Sequence, residues 1–195
     1  MEELKAITEI VEPDERQRLF VMFDQSTGNQ RPLELSDIYN RAAHVALHDG
    51  VPVTIRSHFA TAQNLLAYSW FCYPFNVVAE LHGYISVEFA LRARFPDQPR
   101  ANFKDLLDRA VREGLLRAEG FTYGRNPERV LYPPEMRAPP EIPDVRDYVR
   151  DVADAMRTLR NSLAHGSSTL HMEGGTALLV CSEIINQLFP RASDA

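Results

Sequence analysis

Apolar residues along this chain recur at intervals of three and four far more than at intervals of two, the pattern of helices that bury one side. The stretch "SDIYNRAAHVALHDG" offers Ser36 as an N-cap, Ile38, Ala42 and Val45 on one face, and Gly50 as a stop. A second pattern runs from about Ile55 to Cys72 through Phe59, Ala62, Leu66 and Trp70, until Pro74 kinks or breaks it. In "FNVVAELHGYISVEFALRARF" the spacing places Val78, Leu81, Ile85 and Phe89 on a core stripe that ends before Pro96. A shorter helix is predicted in "ANFKDLLDRAVREGLL", capped by Asn102, faced by Phe103, Leu106, Ala110 and Val111, and stopped at Gly114. The longest pattern repeats at Val145, Tyr148, Val152, Met156, Leu159 and Leu163, and a last helix buries Leu178, Cys181, Ile184, Ile185 and Leu188.

The first forty residues are less periodic. "LKAITEIV" reads as helical, whereas "RLFVMF" is too short for periodicity to separate strand from helix. Residues 1–50 are therefore expected to form a mostly helical N-terminal segment of uncertain role, and residues 51–195 a helical bundle domain. Between the fourth helix and the long one, from about Thr122 to Pro143, the chain turns proline-rich, with five prolines between Pro133 and Pro143. That composition predicts an extended loop, and Tyr123, Arg125, Arg129 and Tyr132 on it offer stacking faces and phosphate donors suited to RNA.

With 45% hydrophobic and 25% charged residues, the chain has the balance of a globular protein with a real core. No apolar run is long enough for a membrane span, and the acidic start "MEELKAITEIVEPDER" is unlike a secretory signal, so a cytoplasmic protein without a membrane partner is expected. Cys72 and Cys181 lie in apolar stretches, as reduced core thiols do. The net charge of -6 argues against coating nucleic acid by bulk electrostatics. Residues 1–40 hold nine acids and four bases, however, so the remainder is nearly neutral and leaves room for local basic grooves.

The long helix ends in "LRNSLAHG". Asn161 and His165 are four apart and share a face, while Arg160 lies about 140 degrees round the axis from His165. Arginine, histidine and a following glycine are all favoured where any helix ends, which supplies a purely structural reason for them. They also form a workable set for phosphodiester chemistry. His165 would move protons, Arg160 would hold the phosphate and its developing charge, and Asn161 would orient one of them.

"LRNSLAHG" closing a long helix before one last amphipathic helix, with "AELHGYISVEFALRARF" and "FKDLLDRAVREGLL" upstream, resembles the HEPN superfamily (higher eukaryotes and prokaryotes nucleotide-binding). The resemblance spans roughly Ile55 to Pro190. It implies an all-α, HEPN-like antiparallel helical bundle with a long proline-rich loop before the motif helix. It further implies a metal-independent endoribonuclease without a cofactor, of the kind found in toxin and phage-defence systems, with Arg160, Asn161 and His165 as catalytic residues. Such proteins commonly form homodimers with facing motifs, and some pair with an antitoxin or a nucleotidyltransferase. Others are catalytically silent modules that bind a protein or a nucleotide.

Two further groups stand out. His44 and His48 are four apart, as zinc ligands can be, but no HExxH pattern or cysteine pair accompanies them, and no metal site is assigned. Glu80 and Glu88 lie on one line of their helix with Tyr84 between them, within reach of Arg160 across a bundle, where an ordinary buried or rim ion pair accounts for them without a catalytic purpose. Two arginines brought together in a dimer would need a compensating carboxylate, for which Glu80 is the candidate, or a bound anion.

Overall fold

The computed structural model describes residues 3–24, 27–122, 145–165 and 174–191, with the side chains of 145–147 excepted. Six α-helices dominate the described residues: α1 Leu35–His44, α2 Val53–Tyr68, α3 Phe75–Arg94, α4 Phe103–Arg112, α5 Val145–Ala164 and α6 Gly174–Leu188. The expected all-α bundle is present, and no helix among the described residues is long and apolar enough to cross a membrane. α3 is its centre, packed against α2 on one side and α6 on another, with α4 and α5 completing the bundle.

α4 and α6 form as their periodicity predicts. The Asn102 side chain accepts from the Asp105 backbone N–H at 3.0 Å to start α4, and Gly114 ends it with φ at 69°. All five expected apolar residues of α6 are buried, including the free thiol of Cys181, whose pKa burial pushes up. The turn at Pro74 is a full break, with α2 ending at Tyr68 and α3 starting at Phe75.

α3 is rotated from the predicted register. Val78, Ile85 and Phe89 are 44%, 40% and 38% exposed, whereas Ala79, Gly83, Tyr84, Val87 and Leu91 face inward. The cause is close packing. A methyl group at Gly83 would come within 2.5 Å of Leu178 Cδ2 and 3.2 Å of Cys181 Sγ, so the small-residue side of α3 is the one that admits α6. α5 is turned in the same sense: Val149, Ala153 and Met156 are buried, Tyr148, Val152 and Leu163 half-buried, and Leu159 exposed.

α1 begins one residue before the expected Ser36 cap. The Asp37 carboxylate accepts from Glu34 N–H at 2.9 Å and is held by both terminal nitrogens of Arg31. The helix also ends early, at His44, because long-range partners take over its last groups. Gln63 Nε2 donates to the carbonyls of Ala42 and Val45, and Asn186 binds both His48 N–H and the Ala46 carbonyl.

Before α1, "LKAITEIV" forms turns with Leu4 and Ile7 exposed; with no core surface under them, a helix there gains nothing from its apolar side. The segment "RLFVMF" contributes a strand, Val21–Phe23, paired antiparallel with Gln30–Pro32. The N-terminal segment is fastened to the bundle through Asp14. Its carboxylate accepts from Arg16 Nε and an Arg16 terminal nitrogen, both at 2.8 Å, and from Tyr73 N–H at 2.9 Å, while its own N–H donates to the Trp70 carbonyl.

Arg16 first, with the Tyr73 and Arg16 backbone N–H groups, outweighs burial and holds the Asp14 carboxyl at about 2 against a usual 3.8. A carboxyl depressed in the folded state stabilises above its unfolded pKa and loses that contribution as pH falls through the folded one. Asp14→Asn is expected to cost about 1–2 kcal/mol at neutral pH, reduced from the full linkage value because Arg16 is a third exposed. In urea unfolding series, the gap from the parent protein should close between about pH 4 and pH 2.

Candidate active site

The three motif residues lie at the C-terminal end of α5. Arg160 is half-buried, Asn161 and His165 are exposed, and His165 follows the last helical residue with its N–H still donating to the Asn161 carbonyl at 3.0 Å. Arg160 bends back from its own face toward α3. One terminal nitrogen donates to Glu88 Oε2 at 3.0 Å, and the other reaches Asn161 Oδ1 at 3.3 Å. Its Nε is buried and has no hydrogen-bond partner among the described residues.

Glu88 is the pivot of this end of the bundle. Its Oε1 accepts from Arg92 at 2.7 and 3.2 Å while Oε2 takes Arg160, so two guanidinium groups share one carboxylate. The local balance is one positive charge in excess, next to an exposed amide and an exposed imidazole. An oxyanion arriving there would find fixed donors and a net attraction.

The other carboxylate on the same line plays a different part. Glu80 is 2% exposed and accepts the Tyr84 phenol proton at 2.5 Å. Burial first, and this bond second, raise the Tyr84 pKa far beyond its ordinary value. The carboxylate beside Arg160 within this chain is thus Glu88, one helical step of eight residues beyond Glu80. Glu80 and Tyr84 instead floor a groove of about 230 Å³ walled by Val152, Met156, Leu159 and Val180.

Tyr123, Arg125, Arg129 and Tyr132 lie outside the described residues. His48 is engaged at both ring nitrogens: Nδ1 accepts from Gly50 N–H at 3.1 Å, which leaves Nε2–H to donate to the Asn186 carbonyl at 3.3 Å. His44 is exposed on α1, and no group of three metal-ligating side chains occurs among the described residues.

One cluster carries no local signal in the sequence. His58 of α2 and His82 of α3 stack at 4.5 Å, and Phe89 tilts against His58 at 5.5 Å. Ser86 Oγ donates to the His82 carbonyl, so it accepts from His58 Nδ1–H, while His82 Nε2–H donates to the His58 carbonyl. Burial, with His82 adding to it, lowers the His58 pKa. The two histidines are 24 residues apart, and only the packing of α2 on α3 joins them.

Compared with known protein families, with characterised proteins and with solved structures, the chain finds no match.

The Arg160–Glu88 contact is measurable by a double-mutant cycle. Glu88→Ala and Arg160→Ala, separately and together, should give a coupling free energy of about 0.5–1 kcal/mol in chemical denaturation, the range of a half-exposed ion pair with one charge-assisted hydrogen bond. Additive effects would mean that Arg160 gains nothing from Glu88 in solution.

Proposed function

We propose that the chain is a metal-independent endoribonuclease of the HEPN kind, acting as a homodimer with a composite site. The observation that supports it most is the placement of Arg160: fixed by Glu88, joined to Asn161, with His165 one turn further on. In the reaction a ribose 2'-hydroxyl attacks the adjacent phosphorus, the new P–O2' bond forms as the P–O5' bond breaks, and the products are a 2',3'-cyclic phosphate and a 5'-hydroxyl. One histidine takes the proton from the 2'-oxygen and another delivers a proton to the leaving 5'-oxygen. Each chain brings one His165, so a symmetry mate supplies the second. Arg160 holds the phosphate and the charge that develops on it, and Asn161 steadies the guanidinium.

A second reading, a catalytically silent helical module that binds a protein or a nucleotide, is favoured by the same ion pair: an arginine that only locks α5 to α3 would also bind Glu88.

Unstructured RNA incubated with the full chain in EDTA separates the two readings. Cleavage should proceed, leave cyclic phosphate ends, and fall by at least about 100-fold in His165→Ala and in Arg160→Ala while the helical circular dichroism is kept. Arg160→Lys should also be poor, because a point charge replaces a planar fork. Intact RNA with the parent protein, or cleavage that survives both alanine variants, rejects the assignment.

RNA is also expected to be held by Arg125 and Arg129, with Tyr123 and Tyr132 stacking on its bases. Arg125→Ala and Arg129→Ala should weaken binding and each lower the salt dependence of the affinity by about one counterion or less, read from titrations across a salt series.

A further inference from the structure

We infer that Arg92 is a second phosphate-holding residue of this site, and that a single RNA strand leaves Arg160 across Arg92 and Arg100, over the C-terminal end of α3. The identity of the strand rests on the ribonuclease reading; the basic track itself does not.

The track follows from the direction of two helices. Glu80 and Tyr84 of α3 share their groove with Val152, Met156 and Leu159 of α5, and further along Glu88 meets Arg160. An advance on one helix is matched by an advance on the other, so α3 and α5 run the same way and end side by side. Arg92 lies four residues beyond Glu88 and His165 five beyond Arg160, rises of about 6 and 7.5 Å. Arg92 therefore stands nearly level with the histidine.

Charge at this end is one-sided. Past Glu88, α3 closes with "FALRAR", and the last ten residues of α5, "AMRTLRNSLA", hold two arginines and no acid. Arg157 is paired with Asp154. Cations are expected where helices end, which gives these arginines a bland explanation, but the magnitudes limit it. Each helix C-terminus carries about half a negative charge, so Glu88 and both termini together leave about one positive charge over from Arg92, Arg94 and Arg160.

Arg92 is what makes this excess available to a ligand. Arg160 alone with Glu88 would be a neutral pair, whereas Arg92 draws Oε1 to itself through two nitrogens, at 2.7 and 3.2 Å. Nor is Arg92 used up. Of its five N–H donors, two go to Glu88 and one touches the Pro99 carbonyl at 3.5 Å, long for a hydrogen bond. The next residue is Arg100, exposed in the turn before α4. Asp97 of the same turn is held by Arg109 at 2.8 Å, so the carboxylates beside the track, Glu88 and Asp97, are both bound by arginine already. Successive guanidinium forks match a chain of phosphates, and a reaction at His165 that begins from a 2'-hydroxyl makes that chain RNA.

Labelled unstructured RNA of about ten nucleotides, titrated into the full chain carrying His165→Ala, reads binding without turnover. Adding Arg92→Ala should weaken binding by about five- to tenfold and lower its salt dependence by about one counterion, while Arg92→Lys should restore the salt dependence and only part of the affinity. Glu88→Gln should tighten binding, because it releases both guanidinium groups. If Arg92 served only as a structural partner of Glu88, Arg92→Ala and Glu88→Gln would break the same pair and shift affinity in the same direction; that result, or an affinity and salt dependence unchanged by Arg92→Ala, overturns the assignment. Should Arg92→Ala lose its helical circular dichroism, Arg100→Ala, outside every helix, decides: it should lower the salt dependence by about one counterion, and no change there overturns the track. An acidic peptide that displaces the RNA as well as unlabelled RNA does would also overturn it and point to a protein partner. RNA cleavage by the parent chain with a KM unchanged in Arg92→Ala would sink the track and leave the ribonuclease standing. RNA that binds through Arg92 and Arg100 and is never cut would do the reverse.

Discussion

The close approach of α3 and α6 at Gly83 governs much of the remaining architecture. With no side chain there, Leu178 and Cys181 can press against the α3 backbone, and that contact fixes the rotation of α3 about its own axis. Once the rotation is set, Tyr84 and Glu80 must enter the bundle and find each other. Val78, Ile85 and Phe89 must leave it, and Glu88 must come to rest at the edge that meets α5. The position of Arg160 is therefore decided two helices away, by which side of α3 is narrow enough to accept a neighbour.

Electrostatics then refine what packing decides. Glu88 alone between two guanidinium groups leaves a fixed positive excess beside Asn161 and His165. Fixed charge of this kind is worth more at a half-buried position than the same arginine would be in open solvent, because less water reorganises around it. At the opposite end of the bundle Asp14 is a carboxylate that gathers Arg16 and the Tyr73 N–H and so binds the N-terminal segment to the turn between α2 and α3.

Helices with one polar and one apolar side were legible residue by residue. α4, with its Asn102 cap and Gly114 stop, and α6, with all five core positions correct, needed only periodicity and local capping chemistry. α3 was legible as a helix but not in its orientation, because apolar residues line it all round and nothing in a 3.6-residue period prefers Val78 and Ile85 over Ala79 and Val87. Small residues were the missing signal, since they mark close approach rather than hydrophobicity. The end of α1 depended on Gln63 and Asn186, both far along the chain, and no local rule could supply them. At the candidate site, the adjacency of Arg160 and Asn161 could be read directly, and a carboxylate partner on α3 was foreseeable. Whether it would be Glu80 or Glu88 turned on the same unreadable rotation.

The order in which a ribosome makes this chain gives α6 a particular weight. It follows the other described helices in the chain, yet it provides the inner wall against which α3 lies, and its Asn186 secures the stretch between α1 and α2 through His48 and Ala46. Until α6 leaves the exit tunnel, α3 is a helix with apolar residues on every side and nothing to choose which of them to hide. The nascent chain must therefore wait, sticky and unsorted, for α6 before α3 can choose its inner side, and that step is concerted rather than progressive.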